Sequence, residues 1–178
     1  MSDRIIKLQP FPTVQTLPNI EIITTISRSN QQLQINYFLQ GDLEQIILPV
    51  THNQVFRKDG LWESTCFEFF LAIFNSPQYW EFNLAPTGDW NSYRFTNYRR
   101  GMITEKVFNN LSFKVQRNKT TYEMAVKIDL KKIIAGDTLI EIAITTVIED
   151  INHNLSYWAI THPGTKADFH RRDSFITI

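Results

Sequence analysis

Glu68 stands inside the apolar run Thr65–Phe74, and Glu81 inside the run Gln78–Leu84. A carboxylate in an apolar strand is costly unless it is paired, solvated or put to use. Period-two alternation puts Cys66, Glu68, Phe70, Ala72 and Phe74 on one face of the first run. In the second run Tyr79, Glu81 and Asn83 oppose Trp80, Phe82 and Leu84. In Trp90–Phe95, Trp90, Ser92 and Arg94 oppose Asn91, Tyr93 and Phe95. If these three strands are neighbours in chain order, Glu68, Glu81, Asn83 and Arg94 line one sheet face. The plain outcome is a buried Glu–Arg ion pair. The functional outcome is a polar cleft beside aromatic platforms, for which Trp62, Trp90 and Tyr93 are the stacking candidates.

Such a mixture suits a sugar. A pyranose has apolar C–H faces that stack on Trp or Tyr, and hydroxyls that need both donors and acceptors. Glu, Asn and Arg supply those together. Glu68 and Glu81 also admit an acid/base reading. Glycosidases set two carboxyls ~5–5.5 Å apart when retaining and ~6.5–9.5 Å apart when inverting. The segment from Leu61 to Gly101 holds about half of the chain's aromatic residues, and the ordinary fate of its phenylalanines is core.

Other reactive residues carry weaker signals. His162, Asp168 and His170 have the atom types of metal ligands, but their spacing matches no strong signature. A polar loop of solvated pairs explains them as well, and no metal or cofactor is expected. Asp59, Glu63 and Asp89 offer oxygens for calcium at similar odds. Cys66 lies mid-strand, where burial makes a thiol inert. As the single cysteine, it allows no internal disulfide. Gly60, Gly88, Gly101, Gly136 and Gly164 read as turn residues, and no glycine-rich phosphate loop is present.

The elements that must position these residues are almost all strands. Ile20–Ser27 is rich in β-branched residues, and Gln31–Leu39 alternates cleanly, with Arg28–Asn30 as a hairpin turn between them. Glu44–Leu48 reads as a short strand closed by Pro49. Later strands fall at Leu111–Arg117, Thr121–Ile128, Thr138–Ile148 and Leu155–Thr161, with one helical turn at Asp129–Ile134. Many short strands at regular turn spacing predict an all-β chain: a β-sandwich, jelly-roll or immunoglobulin-like, of two antiparallel sheets.

The chain has 178 residues, with 18 basic and 18 acidic side chains and a net charge of zero. That length predicts one domain, residues 1–178. Neutrality argues against a chain that grips nucleic acid. No apolar run reaches the ~18 residues of a membrane span, and MSDRIIKLQPFPTVQ lacks the apolar core of a secretory signal. The expected location is cytoplasmic. The edge strands of a sandwich leave homodimer formation open.

Three stretches carry a family resemblance. Asp59–Ala72 (DGLWESTCFEFFLA), Tyr79–Met102 (YWEFNLAPTGDWNSYRFTNYRRGM) and His162–Phe175 (HPGTKADFHRRDSF) resemble bacterial DOMON-like proteins, related to the family nine carbohydrate-binding modules. The resemblance implies a two-sheet sandwich that holds sugar between aromatic side chains with polar groups nearby. Trp62 and Trp90 are the candidates here, at strand edges beside turns. Those relatives are usually appended to secreted hydrolases, whereas this chain is expected to stand alone. Other DOMON relatives bind haem through Met and His, for which Met102, His162 and His170 are available. The expected function is therefore a non-catalytic domain that binds a small carbohydrate. The alternatives are a structural or protein-interaction domain, or a glycoside-acting enzyme using Glu68 and Glu81.

Overall fold

A computed structural model describes residues 3–136 and 138–178. Met1 and Ser2, which begin the stretch read for a secretory signal, lie outside the described residues. Among the described residues thirteen strands follow one another. They are β1 (Arg4–Lys7), β2 (Gln9–Pro10), β3 (Ile20–Ser29), β4 (Gln32–Gly41), β5 (Cys66–Ile73), β6 (Tyr79–Leu84) and β7 (Trp90–Phe95), then β8 (Ile103–Thr104), β9 (Phe113–Arg117), β10 (Thr121–Asp129), β11 (Ile140–Glu149), β12 (Leu155–Ala159) and β13 (Ile176–Thr177). They form two antiparallel sheets. One runs β1-β3-β4-β10-β9, and the other runs β2-β12-β11-β5-β6-β7-β8 with β13 also on β11. This is the expected β-sandwich. Among the described residues no helix is long and apolar enough to cross a membrane.

The first sheet follows the alternation of its sequence. Leu33, Ile35, Tyr37 and Leu39 of β4 are buried against the second sheet, as are Tyr122, Met124, Val126 and Ile128 of β10. Their neighbours on the other face are more exposed and, apart from Phe38 and Ala125, polar. The β3–β4 hairpin turns one residue later than expected. Ser29 pairs with Gln32, and Asn30 takes the left-handed conformation at φ 53°. Asn tolerates that conformation better than most residues, so the Asn30–Gln31 pair makes the turn.

The second sheet is apolar on both faces at its centre. Phe67, Phe69, Leu71, Trp80, Phe82 and Leu84 enter the inter-sheet core. Phe70, Ala72, Tyr79, Tyr93, Phe95 and Ala143 form a second cluster on the outer face. Phe169 and Phe175 of the C-terminal segment pack onto that outer cluster. The segment is tied down at its end, where β13 pairs with β11 through Ile142 and Ile176. It therefore covers part of a sheet face that would otherwise expose large aromatic rings to water.

Glu44–Leu48 is not a strand. Leu43–Gln45 forms a turn of 3-10 helix, followed by a single bridge from Ile46 to Asp150. Leu43 and Ile46, three residues apart, both reach the core, a spacing that suits this tighter helix. The helical turn expected near Asp129 is present as Leu130–Lys132, with Asp129 accepting from the Lys131 N–H at 3.1 Å. Two further 3-10 turns, Leu61–Glu63 and Arg172–Ser174, were not expected.

Candidate functional site

A cavity of about 490 Å³ opens on the outer face of the second sheet. Its floor includes Glu68 and Phe70 of β5, Glu81 of β6, Phe95 of β7 and Val147 of β11. Its walls come from Trp62 on the 3-10 turn after Gly60, from Tyr157 of β12, from Arg99 and Met102, and from Asp168–His170. Gly60 adopts φ 73°, the left-handed region in which glycine is not strained, and this starts the turn that carries Trp62. Trp62 and Tyr157 are each 36% exposed, so both rings keep one face available.

Strand register explains which residues meet. Glu68 pairs with Asn83 across β5 and β6, and with Thr145 across β5 and β11. Paired residues project to the same side, so Thr145, Glu68 and Asn83 form a polar row across three strands. Each is buried. Glu68 Oε1, Asn83 Oδ1 and Thr145 Oγ1 have no hydrogen-bond partner among the described residues. Buried polar atoms are seldom left unpaired, because each costs about 1–3 kcal/mol. Glu81 sits one row further along, opposite Phe70 and Tyr93. It accepts a hydrogen bond from Asn83 Nδ2 at 2.9 Å.

Burial governs the charge state of these carboxyls. It pushes Glu68 well above the ordinary carboxylate range, and the nearby charge of Glu81 adds to the effect. Burial also pushes Glu81 up to about 7, against the opposing hydrogen bond from Asn83 and the positive charge of Arg99. His170 is pushed down to about 4, first by burial and then by Arg99. It is neutral near pH 7, packed edge-on against Phe70 and Phe95 with ring centroids 5.2 and 5.1 Å away. Its Nδ1 lies 2.8 Å from the Tyr79 hydroxyl, which accepts from the Arg99 N–H at 3.1 Å. The Tyr79 proton then goes to Nδ1, and the Nε2–H faces Glu81 Oε2 at 3.8 Å. Arg99 pairs with Asp168 at 2.8 Å, and Tyr98 also donates to Asp168. These contacts hold the Asp168–His170 wall against the loop after β7.

The expected site residues divide. Trp62, Glu68 and Glu81 line the cavity together, and Asn83 is buried beside Glu81. Tyr93 shares their face, contrary to the expectation that it would oppose them. It is buried, its hydroxyl donates to Asp59 at 2.7 Å and accepts from Asn91 at 2.8 Å, and its ring meets Trp62 edge-on at 5.9 Å. Its place is therefore behind Trp62.

Trp90 and Arg94 project the other way. Trp90 is 3% exposed in the inter-sheet core, with the Arg57 guanidinium 4.1 Å from its ring centroid. Arg94 approaches Glu105 at 3.9 Å on that same side. The expected Glu–Arg pairing on one face is absent because β7 pairs Glu81 with Tyr93, not with Arg94.

Tyr157, Arg99 and Phe169 are not among the site residues expected from the sequence, and Met102 figures there only as a haem ligand. The stretch His162–Phe175, singled out by resemblance, was the signal for Phe169. Asp168 and His170 had been weighed only as metal or loop residues.

The weighed metal ligands are occupied otherwise. His162 Nε2 lies 2.9 Å from the Gln9 carbonyl, and Asp89 pairs with Lys58 at 2.5 Å. Among the described residues no group of three His, Cys, Asp or Glu side chains could hold a metal ion. Met102 and His170 line one cavity, yet both imidazole nitrogens of His170 face protein groups. The residues do not fit a haem iron. Cys66 is buried, and burial followed by the charge of Glu68 pushes its thiol well above the usual range.

No family model matches the chain, and no curated protein matches it either. Several solved structures are similar. One is a proposed carbohydrate-binding protein from Bacteroides uniformis ATCC 8492, 13% identical, with 97% of this chain and 85% of that chain covered and a TM-score of 0.68. Another is a family 9 carbohydrate-binding module from Caldicellulosiruptor kristjanssonii in complex with glucose, 13% identical, with coverage of 91% and 77% and a TM-score of 0.51. A third is a family 9 module from the same organism with cellotriose, 11% identical, with coverage of 87% and 72% and a TM-score of 0.50. At these identities the likeness is one of fold.

Proposed function

We propose that the chain is a single DOMON-like domain that binds a small carbohydrate, without catalysis, in the cavity beside Trp62. The observation that carries this reading is Glu68 on the cavity floor: its Oε1 has no hydrogen-bond partner among the described residues, beneath a cavity lined mostly by aromatic and apolar side chains. A sugar answers both halves of that arrangement. A hydroxyl reaches the Glu68 carboxyl, and the C–H faces lie against Trp62 and Tyr157. Glu81, Arg99 and Asp168 supply further polar contacts at the rim. Tyr93 braces Trp62 from behind. The glucose and cellotriose complexes of structurally similar modules support the choice of a small sugar as ligand.

A thermal-shift screen against mono- and oligosaccharides tests the reading. A ligand at 100 times its dissociation constant stabilises by about 2.7 kcal/mol, which is roughly 5–10 °C for a domain of this size. Trp62→Ala should abolish the shift and leave the protein folded, because that ring is half-exposed on a short turn. No shift with any sugar would remove the reading and favour a structural or protein-interaction role.

A second reading rests on one observation. Glu68 and Glu81 are diagonal neighbours on adjacent strands in unlike surroundings: Glu81 accepts from Asn83 and feels the charge of Arg99, while Glu68 Oε1 has no partner among the described residues. Unlike surroundings are what give the two members of an acid/base pair different roles. Steady release of nitrophenol from aryl glycosides, lost in Glu81→Gln, would favour a hydrolase.

A further inference from the structure

Glu68 and Glu81 share one face of the second sheet, diagonal across β5 and β6, close enough for the charge of one to act on the other. Among the described residues neither is paired with a lysine or arginine. The cations that could serve are engaged elsewhere or absent from this face. Arg99 is taken by Asp168 at 2.8 Å, and Lys58 by Asp89 at 2.5 Å. Arg57 donates to Asn91 and to the Phe108 carbonyl. Arg94 lies on the opposite side with Glu105. His170 stands nearest to Glu81, and it is neutral. The other charged groups lining the cavity, Glu63 and Asp168, are acids as well.

Of the unpaired atoms in the polar row, Glu68 Oε1 is the one whose residue lines the cavity, and once ionised that carboxyl only accepts. Glu68 is 3% exposed, so its unpaired oxygen is buried and is reached only from the cavity it lines. A ligand that brings donors satisfies this floor. A ligand that also brings positive charge removes the like-charge conflict between the two carboxyls, and a neutral hydroxyl does not.

We propose that the cavity selects an amino sugar, with the ring against Trp62 and its ammonium group against the carboxyls of Glu68 and Glu81. The proposal rests on the carbohydrate-binding reading above and names the class of sugar. Proton balance follows from it. The ligand arrives as an ammonium and stays one. A carboxyl that was protonated in the free protein ionises beside it, and its proton passes to the buffer. Acetylating the amine removes both the charge and the reason for that release.

Isothermal titration at about pH 6.5, just below the value of about 7 to which burial pushes Glu81, separates the outcomes. The probes are D-glucosamine, N-acetyl-D-glucosamine and D-glucose, each in two buffers of different ionisation enthalpy. D-glucosamine should bind about tenfold or more tightly than the other two, a difference of about 1.4 kcal/mol. Its observed enthalpy should change with the buffer, reporting proton release. Glu68→Gln keeps the shape of the side chain and removes its charge, and it should pull the glucosamine-to-glucose affinity ratio toward one and reduce the release. Glu81→Gln, which keeps an acceptor for Asn83, repeats the test if the first variant does not fold. Equal affinity for all three sugars without buffer dependence would overturn the amine preference and leave sugar binding intact. No binding of any sugar would overturn both.

Discussion

Replacing Glu81 with Gln should make the protein more stable at high pH than at low pH, relative to the wild type. The reason is the direction of the Glu81 shift. Its carboxyl titrates at 4.5 in an open chain and is pushed up to about 7 in the fold by burial. Between those values the folded protein holds a proton that the unfolded chain has released. Stability is therefore present in full below the unfolded value and is lost as pH rises toward 7. A displacement of about 2.5 pH units corresponds to about 3 kcal/mol. Glutamine cannot ionise, so Glu81→Gln does not suffer this loss. Its carbonyl still accepts the hydrogen bond from Asn83, and any change in packing adds an offset that is the same at every pH. The variant also eases ionisation of Glu68, which acts in the same direction. Urea denaturation of both proteins at several pH values measures the effect. The stability difference, variant minus wild type, should grow by about 3 kcal/mol between about pH 4 and about pH 8. Expressed as melting temperature, that is roughly 6–12 °C for this chain length. Taking the difference cancels His170, whose low titration point makes the fold gain stability as pH rises through the range below the ordinary histidine value. A difference that stays flat across this range would mean that Glu81 titrates as an exposed carboxyl, and the account of a charged, desolvated floor would fail.

Trp90→Ala should destabilise the fold by about 3–5 kcal/mol, because it empties a core position and removes the ring beneath Arg57. The fraction that remains folded should bind sugar as the wild type does, which chemical denaturation and titration at low temperature would check together. This reverses the sequence-based expectation that Trp90 is a stacking platform for the ligand. Tyr37→Phe should cost about 1–3 kcal/mol, since the buried Tyr37 hydroxyl donates to the Glu68 carbonyl at 2.6 Å and that carbonyl would lose its donor. The pH dependence of ligand binding should be unaffected, because no charge at the cavity changes.

The strands were readable because β-branched and alternating residues mark them directly. β4 and β10 show one apolar and one polar face, so even their inward sides could be assigned. β5 and β6 are buried along almost their whole length, and their alternation does not distinguish core from cavity. What could be read there was the grouping of Glu68 with Glu81 and Asn83. Extending the grouping to β7 required its register. A shift of one residue exchanges Arg94 for Tyr93 and moves Trp90 from cavity to core. The walls were harder still. Tyr157, Arg99 and Phe169 reach the cavity from distant parts of the chain. Tyr157 comes with β12 and Arg99 with the loop after β7, while Phe169 arrives only because the C-terminal segment lies over the outer aromatic cluster, a tertiary event with no local pattern. The 3-10 turn at Leu43–Gln45 illustrates the converse limit: four or five residues of mixed character fit a strand and a helical turn equally well.

The polar row on the floor has a consequence for descent as well as for binding. Leucine or valine at Glu68 and Glu81 would fit a sheet face that is already largely apolar, and would relieve the free protein of two buried carboxyl groups, one of them with an unpaired oxygen. Random substitution therefore has a stabilising direction open to it at these two positions, and only use of the cavity opposes that drift. Trp62 is different: its half-exposed ring on a short turn can be exchanged at small cost to the fold. A lineage that changed its ligand would rewrite the walls first, whereas one that abandoned the ligand would be recognised by hydrocarbon side chains on the floor.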